Sequence, residues 1–197
     1  MTSLLIDIAR RRQKPGSGSL PGPINPKTTQ MFRDILSVPY ALIGGQATKS
    51  YMPERSTLDW DVLIDASDLD QARSDIVAAG AVGIRPLTIV GFGCRLQDST
   101  MLDVIADDGE WVAKALTEAG TRCAEHDDPV LALEWLVLLK LKAGRVQDLA
   151  DVSRMMGCAS DQDVEATQAV ASQWLPDAGE DLASLIQLGR MEAMKDG

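Results

Sequence analysis

The segment Asp59-Trp60-Asp61-Val62-Leu63-Ile64 sets two carboxylates at alternate positions of an apolar run. Alternate side chains of a strand share a face, so Asp59 and Asp61 are expected side by side. Trp60, Val62 and Ile64 then turn the other way, into a core. Two adjacent carboxylates repel and do not both ionise without compensation. A divalent cation supplies that compensation, and Mg²⁺ is the usual partner of carboxylate oxygens in phosphoryl and nucleotidyl transfer. The spacing alone is common in an acidic chain. Asp68/Asp70 and Asp161/Asp163 repeat it where helices are expected to begin, and there they read as solvated helix-start acids. What sets Asp59/Asp61 apart is a second acidic strand, Met101-Leu102-Asp103-Val104-Ile105. A lone acid in such a strand usually marks an edge or a solvent face. Laid beside the first strand, Asp103 would instead complete a three-carboxylate site.

The elements that must position these acids are readable from local patterns. Strands are predicted at 39–43, 59–64, 85–90, 92–97 and 101–106, with helices at 45–52, 68–80 and 109–118. Ser67 is the expected N-cap of the helix at 68–80, and Gly80 its stop. Short strands at close spacing with interposed helices predict an α+β domain whose sheet is mixed and partly antiparallel. Ile43-Gly44-Gly45 ends one strand and opens a helix. Glycines there let backbone N–H groups approach a phosphate, although ordinary strand-to-helix turns use the same residues. From Pro129 onward only helices are expected. The run VLALEWLVLLKLKA is apolar nearly all round, as in a buried helix, and further helices follow near 145–156, 161–174 and 178–193. A helix is also expected at 26–37. Before it, KPGSGSLPGPINP resists regular structure, and the division expected is an arm over 1–25, a core over 26–127 and a helical domain over 128–197.

Composition narrows the chemistry. The chain has 197 residues, 29 acidic against 19 basic, and a formal net charge of -10. That field repels phosphate backbones, so DNA is not an expected partner and an RNA acceptor would need a local basic surface. Aromatic residues make up 4%, too few for a groove that stacks successive bases. His126 is the sole histidine, which removes polyhistidine metal sites; in an apparent loop it is not expected to be catalytic. Cys94, Cys123 and Cys158 are far apart and form no CxxC pair, so neither a disulfide framework nor a cysteine zinc site is predicted. No apolar run approaches about 18 residues, and no signal-peptide order is present, so the expectation is a cytoplasmic protein without a membrane span. Trp111, Trp135, Trp174, Met155 and Met156 sit at helical positions and read as core. The basic cluster Arg10–Lys14 reads as a solvated end.

Taken together, Gly44-Gly45-Gln46-Ala47 and Arg55-Ser56-Thr57-Leu58-Asp59-Trp60-Asp61 resemble the GG-x-A … R-x-T-x-D-x-D pattern of nucleotidyltransferase-fold proteins. The AbiEii-like branch, which includes toxins of toxin–antitoxin systems, is the most similar. The later run from Leu139 to Asp151 resembles that branch's K-L-x-A-x-R-x-x-D-x-x-D helical signature, and the resemblance spans roughly residues 38–155. It implies a nucleotidyltransferase-like core with a C-terminal helical bundle. It also implies Mg²⁺-dependent transfer of a nucleoside monophosphate from a nucleoside triphosphate to a hydroxyl on a protein, an RNA end or a small molecule. By that analogy Asp59, Asp61 and Asp103 hold the metal, with Asp103 an alternative base. Gly44, Gly45 and Arg55 hold the triphosphate, and Lys140, Arg145 and Asp148 close over the nucleotide. Many such enzymes carry Gly-Ser ahead of the acidic pair. Here the second position is Gly45, so that contact is absent or falls to Thr48 or Ser56. A catalytically idle, partner-binding protein of the same fold is the alternative, with a cognate protein as partner. Structural roles compete at each helical position: Lys140 and Lys142 are long enough to reach solvent from an apolar helix, and Arg145, Asp148 and Asp151 have the spacing of surface ion pairs.

Overall fold

The computed structural model of the chain describes residues 32–52, 57, 59–122 and 127–196. The predicted arm over 1–25, Arg55, Cys123 and His126 lie outside the described residues. Five strands form one sheet in the order β1-β2-β5-β4-β3: β1 (Tyr40–Ile43), β2 (Trp60–Asp65), β3 (Val82–Pro86), β4 (Gly91–Arg95) and β5 (Met101–Asp107). The β2–β5 pair is parallel and every other pair antiparallel. A parallel pair needs a crossover. Here the chain makes it through α2 (Leu69–Ala78) and the β3–β4 hairpin. The short α1 (Gly44–Thr48) follows β1, and α3 (Trp111–Arg122) follows β5. Four helices complete the chain: α4 (Leu133–Ala143), α5 (Val146–Cys158), α6 (Asp161–Trp174) and α7 (Gly179–Asp196). This is the α+β arrangement, with a mixed sheet and C-terminal helices, that the sequence predicts.

Both faces of the sheet are covered at β1, which is why all four of its residues are buried. Tyr40, Leu42, Val62, Ile64, Leu102, Val104 and Phe92 face one core with Ala72 and Ile76 of α2. Phe32, Ile35 and Leu36 close that core, from a 3₁₀ turn at Phe32–Asp34. The predicted helix over 26–37 is therefore only this turn among the described residues. On the opposite face Ala41, Ile43 and Leu63 meet α3 and α4, and the same cluster runs on into Val152, Met155, Met156, Ala171 and Leu182. Trp111 and Trp135 stack within it at 6.0 Å, so both are core residues, as expected.

Three local expectations are corrected. Residues 129–131 are not helical: Leu42 N donates to Pro129 O and Leu131 N to Leu42 O, covering the outer edge of β1 before α4 begins. Ser67 does not cap α2, because Asp65 accepts from both its amide and its hydroxyl and a 3₁₀ turn at Ala66–Asp68 intervenes. The third predicted strand shifts from 85–90 to Val82–Pro86, since Pro86 has no N–H with which to continue a ladder.

The tightest helix contact joins α5 to α7. A Cβ added at Gly157 would lie 2.5 Å from Gly189 O, and one added at Gly189 would strike Ser153 O. Gly189→Ala is expected to lower stability by about 1–3 kcal/mol through overpacking against backbone. Gly120→Ala on the exposed face of α3, where an added Cβ meets nothing, is expected to raise it by about 0.5–1 kcal/mol. Urea unfolding of the two variants checks the contrast.

Candidate active site

Strand register gathers the acids. Asp61 and Asp103 are direct partners across the parallel β2–β5 pair, and Ile43, the last residue of β1, is the partner of Asp61 on the other side. Both carboxylates share the sheet face of Leu63 and Ile105, at the end where the helical cover gives way. The next residue in the chain, Gly44, has φ +60, and any Cβ there would run into Asp61 Oδ2. Gly45 is hemmed in similarly, its added Cβ lying 2.6 Å from Thr57 Cγ2. The Gly-Gly turn is thus required by the close approach of Asp61 and Thr57 themselves. Because α1 has only five residues, the expected helix N-terminus offers little dipole to an anion.

The expectation that Asp59 and Asp61 project from one strand is half met. Pairing with β1 starts at Asp61 and the strand at Trp60, so Asp59 is an exposed residue just ahead of it. Its charge still reaches Asp61. Burial, then Asp103, then Asp59 push the Asp61 carboxyl up to about 6, while Arg145 and Lys140 act in the opposite sense. Asp103 has a partner of its own, the Arg85 guanidinium, with Nη2 2.8 Å from Oδ1. Cys94 on β4 is buried, and desolvation followed by Asp103 pushes its thiol up to about 11, which removes it as a nucleophile.

These carboxylates open into a cleft of about 750 Å³, within the range of small-molecule sites. Its floor is the β5 face from Asp103 through Ile105 to Asp107, roughly 13 Å at strand rise. Leu136, Leu139 and Lys140 of α4 form the opposite wall together with Arg145 and Asp148. Ile89 and Val90, both exposed, stand at the rim. At the far end Asp107 accepts from Lys142 at 2.6 Å and from Gly109 N at 2.8 Å, and Lys142 also lies 5.1 Å from the Trp111 ring centroid.

The helical wall is built on a buried ionic cluster. Lys140 Nζ lies 2.8 Å from Asp151 Oδ2 and 3.2 Å from Asp148 Oδ1, and all three side chains are buried. Arg145 Nε bonds Asp148 Oδ2 at 2.6 Å, which raises the Arg145 pKa, while the rest of its side chain is exposed to the cleft. Lys140 therefore does not reach solvent, and Asp148 and Asp151 are not surface pairs. Helix geometry corrects the expected exposure: α4 ends at Gly144, in the left-handed region at φ +63, and α5 turns back to face it, burying Lys140, Asp148 and Asp151 while Arg145 stays an exposed partner of Asp148. Lys140 is engaged by carboxylates and buried, so on this wall the most exposed cationic group facing the cleft is Arg145.

No protein-family model matches the chain, and no curated protein does. Among solved structures it is similar to the antibiotic-resistance factor ANT(2″)-Ia in solution, at 15% identity over 81% of this chain and 86% of that one, with a TM-score of 0.41. It is also similar to ANT(2″)-Ia in complex with adenylyl-2″-tobramycin, at 17% identity over 76% and 87%, with a TM-score of 0.38. So loose a likeness assigns no activity.

The donor set fits a hard divalent cation: it is all oxygen, and burial together with neighbouring acids leaves the Asp61 charge undercompensated. Among the described residues no three His, Cys, Asp or Glu side chains form a ready metal cage. Mg²⁺ commonly takes one or two protein carboxylates plus water and phosphate oxygens, so Asp61 and Asp103 suffice in kind. Sequence reasoning missed Arg85, Asp107 and Lys142. Asp107 shares the alternation of Asp103 and Ile105 and was legible; the two cations are brought in by tertiary packing. Among the described residues no helix is long and apolar enough to cross a membrane.

Two outcomes are expected. The folded Asp61 carboxyl titrates near 6 against an ordinary 3.8, so the native chain holds the extra proton between those values and stability falls as pH rises through that window. Asp61→Asn, unfolded with urea in the presence of a chelator, is expected to gain roughly 1–3 kcal/mol above about pH 7 and nothing near pH 4. Lys140→Met takes the ammonium from two buried carboxylates and is expected to cost about 3–5 kcal/mol in the same assay.

Proposed function

We propose that the chain is a metal-dependent nucleotidyltransferase that moves a nucleoside monophosphate from a nucleoside triphosphate to a hydroxyl acceptor. The observation that carries the reading is the pairing of Asp61 with Asp103 at the mouth of the cleft, across from Arg145. Asp61 and Asp103 would hold Mg²⁺, with Asp59 adding charge at the mouth. A cation bound there neutralises phosphate oxygens and orients them. Arg145, fixed through Nε by Asp148, presents its outer guanidinium edge to the triphosphate, and the Lys140–Asp148–Asp151 cluster positions it. Gly44 and Gly45 keep the backbone close to the acids, and Arg55 is assigned to the phosphates by sequence resemblance. The acceptor oxygen attacks the α-phosphorus, the bond to the bridging oxygen breaks, and pyrophosphate leaves. The hydroxyl proton passes to a site carboxylate, for which Asp103 is the candidate. Positioning and charge neutralisation carry such a reaction, and no histidine is needed.

A second reading, a catalytically idle partner-binding protein, is favoured by one observation: Leu188, Met191 and Met194 are exposed at successive turns of α7. A toxin–antitoxin setting fits either reading and rests on sequence resemblance.

Calorimetric titration with each of the four nucleoside triphosphates plus Mg²⁺ separates the readings. Under the first, binding depends on the metal and is lost in Asp61→Asn, and label transfer from an α-labelled nucleotide falls by more than about 100-fold in Asp61→Asn and Asp103→Asn. Well-folded protein that binds no nucleotide with or without Mg²⁺ removes the enzyme reading in favour of the second.

A further inference from the structure

One cross-strand row runs through the whole sheet at the level of the acids: Ile43, Asp61, Asp103, Gly93 and Arg85 are successive register partners on β1, β2, β5, β4 and β3. Arg85 stands on the edge strand and Asp103 two strands away, about 10 Å at ordinary strand spacing. The guanidinium spans that gap by lying across β4, and it can do so because position 93 has no side chain. A Cβ added there would lie 2.5 Å from Asp103 Oδ1 and 2.6 Å from Arg85 Cζ. A glycine inside a strand weakens it, and a close approach of another group is a recognised reason for one. The register on β3 is irregular between Val82 and Arg85, which belongs to the same local arrangement. The Asp103 and Arg85 side chains are 29% and 49% exposed, so the pair is open to solvent and weak enough to be displaced.

We infer that Arg85, seated over Gly93, is a built-in counter-ion of the carboxylate site that competes with a divalent cation for Asp103. The inference rests on the metal-binding role proposed for Asp61 and Asp103. Arg85 is in this sense a positioning residue: it holds Asp103 aimed along the row while no cation is present, and it sets how much cation is needed to engage the site. Cation affinity is then limited by competition, and removing the competitor raises it.

The test is a titration of the metal-stripped full chain with Mn²⁺ at physiological ionic strength, followed by the paramagnetic resonance signal of free Mn²⁺. Arg85→Gln is expected to tighten binding by about fivefold, the scale of an exposed ion pair. Arg85→Lys, which keeps the charge, is expected to stay near wild type. Arg95→Gln controls for net charge, because Arg95 lies opposite Val82 and Met101 in the register, off the row of acids. Thermal unfolding of the four proteins checks that affinity and not folding has changed. Arg85→Gln binding no tighter than Arg95→Gln overturns the counter-ion role, and if Asp61→Asn still abolishes binding the metal site itself stands. Mn²⁺ binding that is absent throughout, or unaffected by Asp61→Asn, overturns both.

Discussion

The parallel pairing of β2 with β5 forces Asp61 against Asp103, and the repulsion this creates is the constraint around which the cleft is arranged. Two unit charges about 5 Å apart repel by roughly 3 kcal/mol at an effective dielectric constant near 20. An exposed arginine pair offsets about 0–1 kcal/mol of that. Arg85 therefore relieves the repulsion without removing it, and burial first, then Asp103, push the Asp61 carboxyl up to about 6. Further compensation comes from across the cleft, from Arg145 and Lys140, and the remainder is left for whatever binds.

The opposite wall solves a different problem. A lysine and two aspartates are buried between α4 and α5, where each ion loses water and must be repaid by close partners. The distances of 2.8 and 3.2 Å supply those partners, and Asp148 spends its second oxygen on Arg145. The result is a guanidinium anchored at its base and exposed at its outer edge. Such a cluster is a costly way to join two helices that already share apolar contacts. Its effect on the cleft is to hold Arg145 Nε at Asp148.

The periods of the chain carried most of the fold. Asp61 alternates with Val62 and Ile64 as a strand requires, Asp103 repeats the pattern, and α6 begins at Asp161 behind a Ser160–Asp163 capping box. What failed was local structure settled by distant partners. Residues 129–131 read as the start of a helix because they are apolar, yet the free edge of β1 claims their backbone groups. Asp59 read as a strand residue because the DxD spacing fits one, while the ladder begins only at Trp60. Of the site, the acids were legible because charge inside an apolar strand is conspicuous. Arg85 was not, because its meaning depends on a glycine eight positions later and an aspartate ten beyond that, and only strand order makes them neighbours.

The charge of the cleft also limits what approaches it. Asp103, Asp107 and Asp148 each have a cationic partner, whereas Asp61 and Asp108 have none among the described residues. The uncommitted charge is thus acidic at both ends of an apolar floor, in a chain whose net charge is -10. Under the proposed reading, a bare triphosphate meets repulsion at Asp61 and Asp108, and the exposed cations it finds in the cleft, Arg145 and Lys142, are each already paired with an aspartate. By the same reading, a cation held at Asp61 and Asp103 would also lessen the repulsion that an entering phosphate meets. An extended polyanionic acceptor faces the same repulsion along its whole length and gains only local relief. Under the proposed reading, this charge pattern would suit a compact, uncharged or cationic acceptor better than a nucleic acid strand.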